Sequence, residues 1–219
     1  MPARARADTA EPLAQMIAPA RTALVVIDFQ GDFAAPNGAM AQYGVDMSHV
    51  EETIDRTQQL IAAGRKAGVR IVFARVVTRP ETDAENLKAF YRRRGFPEEA
   101  AAICRAGTAG ADYYRVEPVP GDIEIEKPLF SSFVGTDLEE QLRAARVDTL
   151  VITGMTTECC VDCTTRDAFH RGYNCFLVED ACTAYEESLH RGAVEALSKN
   201  CALLVQTDEV EQAWTDAAA

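Results

Sequence analysis

Leu150-Val151-Ile152-Thr153-Gly154-Met155-Thr156-Thr157-Glu158-Cys159-Cys160-Val161 reads as a buried strand, a glycine-led turn and the opening of an amphipathic helix. An apolar run without alternation marks a strand covered on both faces. A strand that feeds a helix through so short a turn is half of a β-α-β unit. The stretch also carries chemistry. Cys159 and Cys160 fall in the first helical turn, near unpaired backbone N–H groups and the positive end of the helix dipole. The position predicts a lowered thiol pKa and a nucleophilic thiolate at Cys160. A free cysteine can equally be a small buried hydrophobe, and local context does not separate the two.

Outward from this stretch the same alternation repeats. Toward the N-terminus, Ala23-Leu24-Val25-Val26-Ile27 is a second apolar run, ending at Asp28, and a Gly/Pro/Asn-rich loop follows over 31–38. Val50, Ile54, Thr57, Ile61 and Gly64 mark one face of a helix that stops at Gly68, before a strand over 69–74. A short strand over 123–126 runs into Lys127-Pro128, and a helix follows over 137–145. Beyond the strand over 149–153 and the helix over 158–171 come a strand at 175–178, a helix at 188–199, a strand at 202–205 and a helix at 209–214. Repeated β-α-β units predict an α/β fold: a parallel sheet with helices on both faces, three layers in all. Residues 1–21 read as a frayed arm and 22–219 as a single domain. The polar excursion over 78–121 shows helical pieces near 84–94 and no strand, the pattern of a functional lid.

Composition narrows the partners. With 22 basic and 34 acidic side chains the chain carries a net charge of −12, which argues against nucleic acid and anionic membrane. The one dense basic cluster, Arg92-Arg93-Arg94, is short and flanked by acidic residues. No apolar run is long enough to span a membrane, and the first 21 residues lack the apolar core of a secretion signal. Seven cysteines, an odd number, therefore predict reduced thiols in a cytoplasm in place of a disulfide framework.

In parallel α/β sheets ligands sit beyond the carboxyl ends of the strands. Asp28, Lys127 and Cys160 each lie at or just past such an end. An aspartate there can merely cap the next segment and a lysine can be a solvated surface residue. Three complementary groups at one edge favour a functional site. No nucleotide-binding glycine loop and no G-x-S-x-G elbow occurs. Cys160-Val161-Asp162-Cys163 is formally C-x-x-C, but a zinc site would need a second ligand pair at matching spacing. Dithiol redox chemistry stays open. His49, His170 and His190 are scattered away from the strand ends, and none reads as a base for Cys160.

The segment from Ala23 to Phe33, with Asp28, Gln30 and Asp32, resembles the opening motif of the isochorismatase-like cysteine hydrolases, and the segment from Gly154 to Val161 resembles that family's nucleophile motif. Gly135-Thr136-Asp137-Leu138, Arg166-Asp167-Ala168 and Val178-Glu179-Asp180-Ala181-Cys182 also match, so the likeness runs from about residue 22 to 214. The resemblance implies a Rossmann-like sheet, with Asp28 as general base and acid, Lys127 as its cationic partner and Cys160 as nucleophile. It implies an oxyanion site from the backbone N–H groups of Thr156 and Cys160, a cis peptide between Met155 and Thr156, and Phe33 as a substrate-binding position. True isochorismatases have glycine at the nucleophile position, so the thiol implies C–N hydrolysis of a small amide or ureide of the N-carbamoyl type, through a thioester and with release of ammonia. The segment after the second strand, 74–80, has no histidine, which sets the chain apart from the zinc-dependent nicotinamidases. Cys104-Arg105-Ala106-Gly107-Thr108 and the stretch ending at Glu179-Asp180 are nearest the ureidoacrylate and biuret hydrolases. Neither metal nor organic cofactor is implied, and a homodimer or homotetramer is. Two departures stand out: Gly31 replaces the usual Asn, and Cys163 a small residue. The alternative reading is a non-catalytic binding protein or a thiol-redox protein on the same fold.

Overall fold

In the computed structural model, which describes residues 11–217, the apolar runs pair side by side as one parallel sheet. Its strands are β1 (Thr22–Ile27), β2 (Arg70–Val76), β3 (Ile123–Lys127), β4 (Thr149–Met155), β5 (Asn174–Thr183) and β6 (Leu203–Val205), in the order β3-β2-β1-β4-β5-β6. Successive side chains of a strand point to opposite faces. Leu24 and Val26 therefore pack with Ile54, Leu60 and Trp214 from α4 (Val50–Ala67) and α9 (Thr207–Ala217). Ala23, Val25 and Ile27 pack with Leu142, Ala168 and Leu197 from α6 (Leu138–Ala144), α7 (Asp162–His170) and α8 (Glu187–Asn200). Every residue of β1 and β4 is buried, which is why both read as unbroken apolar runs. The three-layer α/β architecture is the expected one.

Three local expectations change. The stretch 31–38 is not wholly loop: α2 (Gly31–Ala34) occupies its start, and α3 (Ala39–Gln42) follows it. Single turns are too short to show helical periodicity. Strand β5 runs past 178 to Thr183, because a register shift after Ile152 lets it pair again with Gly154 and Met155. Of the arm expected to fray, residues 1–10 lie outside the described residues, but the rest is docked. There α1 (Leu13–Met16) leads to a fully buried Ile17, whose C=O accepts the Trp214 indole N–H at 3.1 Å. A large indole in the last helix supplies the apolar partner and the donor together.

All six strands run the same way, so their carboxyl ends share one edge. The strand order reverses between β1 and β4, and at such a switch point the flanking connections diverge and leave a crevice.

Candidate active site

The crevice is closed at its floor by a glycine. Gly154 of β4 pairs with Ile27 of β1, and a Cβ there would meet the Ile27 carbonyl oxygen at 2.3 Å. Its φ of 136° is likewise a conformation that favours glycine. The close approach brings the residue after β1 and the turn after β4 together. That residue is Asp28, left-handed at φ 59° and 1% exposed. Its Oδ1 accepts the Val76 N–H at 3.1 Å, and its Oδ2 accepts from Lys127 Nζ at 2.7 Å.

Lys127 ends β3 and is wholly buried, its ammonium also donating to the Leu129 carbonyl at 3.1 Å. Burial works against that charge, but Asp28 and Cys160 outweigh it and hold the Lys127 pKa above its usual value. For Asp28 burial is the larger influence and raises its pKa, only partly offset by Lys127, by the Cys160 side chain and by the Val76 N–H. The Cys160 thiol is close enough to both charged groups to act on their pKa values. The three sequence-predicted residues thus meet, although Asp28 and Lys127 are nearly a hundred residues apart.

The turn that carries Cys160 departs from the expected α-helix. Residues Thr157–Val161 form a π-turn before α7, and the Thr156 carbonyl accepts both the Cys159 N–H at 3.1 Å and the Val161 N–H at 3.2 Å. The peptide between Met155 and Thr156 is cis, as the resemblance implied. Cys160 is 7% exposed. Its thiol pKa is pushed well up, by the hydrogen bond with Cys159 first, then by burial and the Asp28 charge, with Lys127 opposing. The lowered pKa expected from the helix-end position is therefore overturned. The dipole effect is worth about 1 kcal/mol, and desolvation beside a carboxylate outweighs it. The upward direction favours the protonated thiol at rest.

Around this cluster, half-buried Phe33 of α2 packs between two apolar clusters, and its carbonyl accepts the Tyr185 hydroxyl at 2.8 Å. Tyr185 is within electrostatic reach of Asp28, Cys160 and Glu158, and burial raises its pKa. Tyr91, on the excursion helix α5 (Glu85–Arg93), is in similar reach of Cys159 and Cys160. Gln30 is a structural partner to which sequence reasoning gave no role. Fully buried, it accepts the Val76 N–H at 2.8 Å and donates to the carbonyls of Val76 and Ala111 at 2.8 and 2.9 Å. It ties the excursion's return to the ends of β1 and β2; a buried amide inside an apolar motif was the available signal. The unusual Gly31 has a local reason, since a Cβ there would lie 2.2 Å from the Ala109 carbonyl oxygen.

All seven cysteines are free, and among the described residues no three His, Cys, Asp or Glu side chains are grouped to hold a metal ion. Among the same residues no helix is long and apolar enough to cross a membrane.

Known proteins match both sequence and shape. The ureidoacrylate amidohydrolase RutB of Methylobacterium radiotolerans is 37% identical over 199 residues, covering 84% of this chain and 75% of the relative. A cysteine hydrolase from Pseudomonas syringae pv. phaseolicola superposes with a TM-score of 0.83 at 26% identity, covering 95% of this chain and 100% of that one. The N-carbamoylsarcosine amidase of Thermoplasma acidophilum superposes with a TM-score of 0.68 at 26% identity, covering 86% and 97%. Residues 22–209 match the isochorismatase domain, and the chain belongs to that family.

Proposed function

We propose that this chain is a cysteine-dependent amidohydrolase, cleaving the C–N bond of a small ureide or amide of the N-carbamoyl type and releasing ammonia. Hydrolysis of a non-peptide C–N bond accords with the family and with a relative named ureidoacrylate amidohydrolase. The observation that carries the finer reading is a buried carboxylate paired with a buried ammonium at 2.7 Å, within electrostatic reach of the buried thiol.

The chemistry follows from those positions. Amide and ureide carbonyls are poor electrophiles, so sulfur must attack as it loses its proton, and Asp28 takes that proton. The backbone N–H groups of Thr156 and Cys160 face the developing oxyanion. Asp28 then gives the proton to the departing nitrogen, which leaves as ammonia and not as an amide anion. Water, deprotonated by Asp28, attacks the resulting thioester, and the proton passes on to restore the Cys160 thiol. Lys127 stays charged throughout and steadies the ionised carboxylate. Phe33 forms part of the substrate wall. The reading calls for no metal or organic cofactor, sets the enzyme in a cytoplasm, in keeping with its free thiols, and includes assembly as a homodimer or homotetramer.

The test is an ammonia-release assay over a panel of ureides and amides, run with and without exhaustive chelation and after iodoacetamide. The expected result is turnover that survives chelation and disappears as Cys160 is alkylated. Two linked thiols with no turnover on any substrate would support the thiol-redox alternative instead.

A further inference from the structure

The turn that carries Cys160 is braced from behind by a side chain that the proposed reaction does not use. Thr157 is fully buried, and its Oγ1 lies 2.9 Å from Nδ1 of His190 on α8. A π-turn needs bracing more than an α-helix does. Its backbone bonds are irregular and it is rarely longer than one turn, and here the Thr156 carbonyl is shared between two N–H groups. Without His190 the buried Thr157 hydroxyl would lose this side-chain partner, and a buried polar group without a partner is destabilising.

His190 reaches the turn from a cavity separate from the Asp28 crevice. It measures about 300 Å³ and is lined by His49, Glu52, Glu179, Asp180 and Glu187 beside His190 itself. Burial lowers the His190 pKa against the pull of Glu187 and Glu179, with His49 acting in the same sense as burial. The imidazole is thus neutral at ordinary pH, with one nitrogen able to accept a hydroxyl proton.

We propose that His190 is a positioning residue: its hydrogen bond to Thr157 fixes the π-turn and thereby holds the Cys160 sulfur against Asp28. It never touches the substrate, so its loss lowers the chemical step and leaves binding nearly intact. The effect on turnover rests on the amidohydrolase reading; the effect on the thiol does not.

The experiment compares His190→Ala, His190→Asn, Thr157→Val and the double variant His190→Ala/Thr157→Val. For each, kcat, KM, the rate of Cys160 alkylation by iodoacetamide and the Tm are measured. Each single truncation is expected to lower kcat about tenfold with KM within about twofold, modest beside the cost of misplacing a reacting group. Each also changes the alkylation rate of Cys160. The double variant is no worse than either single one, because both remove the same bond. His190→Asn, which keeps a hydrogen-bonding atom near the Nδ1 position, recovers most of both rates. Should His190→Ala fail to fold, Thr157→Val and His190→Asn carry the comparison. Wild-type kcat and alkylation in Thr157→Val would overturn the proposal, as would multiplicative losses that track the Tm and ignore the asparagine rescue. Altered alkylation in a protein that turns over no ureide or amide would instead refute the amidohydrolase reading and spare this one.

Discussion

The strand-end cluster and helix α5 solve opposite problems. Asp28 and Lys127 are 1% and 0% exposed and are held by β1 and β3, whereas α5 has no buried residue. Around α5, Phe90 and Phe96 are about half exposed, and Arg94 stacks on both rings. The cluster is buried, so charges interact strongly there and a misplaced group is costly. The excursion helix is wet and laced with ion pairs such as Arg92–Glu98 and Lys88–Glu85, and such surface pairs contribute little stability. The difference teaches where change is tolerated: little among the buried strand-end groups, and much on the exposed helix.

The sharpest way to break this comparison is at the thiol. Cys160→Ala or Cys160→Ser should abolish turnover while Cys159→Ala keeps most of it, measured as ammonia release. Loss confined to the Cys159 variant would move the nucleophile by one residue. Next come its partners: Asp28→Asn and Lys127→Ala should each lower kcat by at least ~10², the range of a positioned acid–base group. Both variants need circular dichroism beside the kinetics, since removing one member of a buried pair can cost about 3–5 kcal/mol of stability.

The pH profile sharpens the same point. In the proposed reaction Asp28 must be ionised to take the thiol proton, and burial holds its pKa above the ordinary value. Activity should therefore fall as pH drops, along a limb lying above the range of a free aspartate, about pH 4. A limb at the ordinary position would remove Asp28 as the base.

Gly154→Ala probes the floor of the crevice. With its Cβ 2.3 Å from backbone at Ile27, the variant should lose at least ~2 kcal/mol in denaturant unfolding, the scale of overpacking and backbone strain. The smallest effect is expected on the excursion. Tyr91→Ala should raise KM about tenfold, the scale of one lost apolar contact with a substrate, with Tm nearly unchanged. Equal losses in kcat would bring α5 into the chemistry and erase the contrast.

Legibility follows the same division. Asp28, Lys127 and Cys160 could be found because each lies at or just past the end of a strand, and parallel strands send all such ends to one edge. Gln30 and Tyr185 could not be given roles, since their partners, Ala111 and Phe33, are far off in sequence. The docking of Ile17 beneath Trp214 was hidden for the same reason. The π-turn at Thr157–Val161 was hidden because its residues have the periodicity of an ordinary helix start.

Pattern alone determined the layer order, the parallel sheet and the edge at which the chemistry gathers, because hydrophobic periodicity and strand direction are local properties of the chain. Only the tertiary structure decided the state of the thiol. The helix-end dipole that favours a thiolate is written beside Cys160. The Cys159 hydrogen bond, the burial and the Asp28 carboxylate that oppose it belong to the folded chain, in which β1 and β4 pair, and together they prevail.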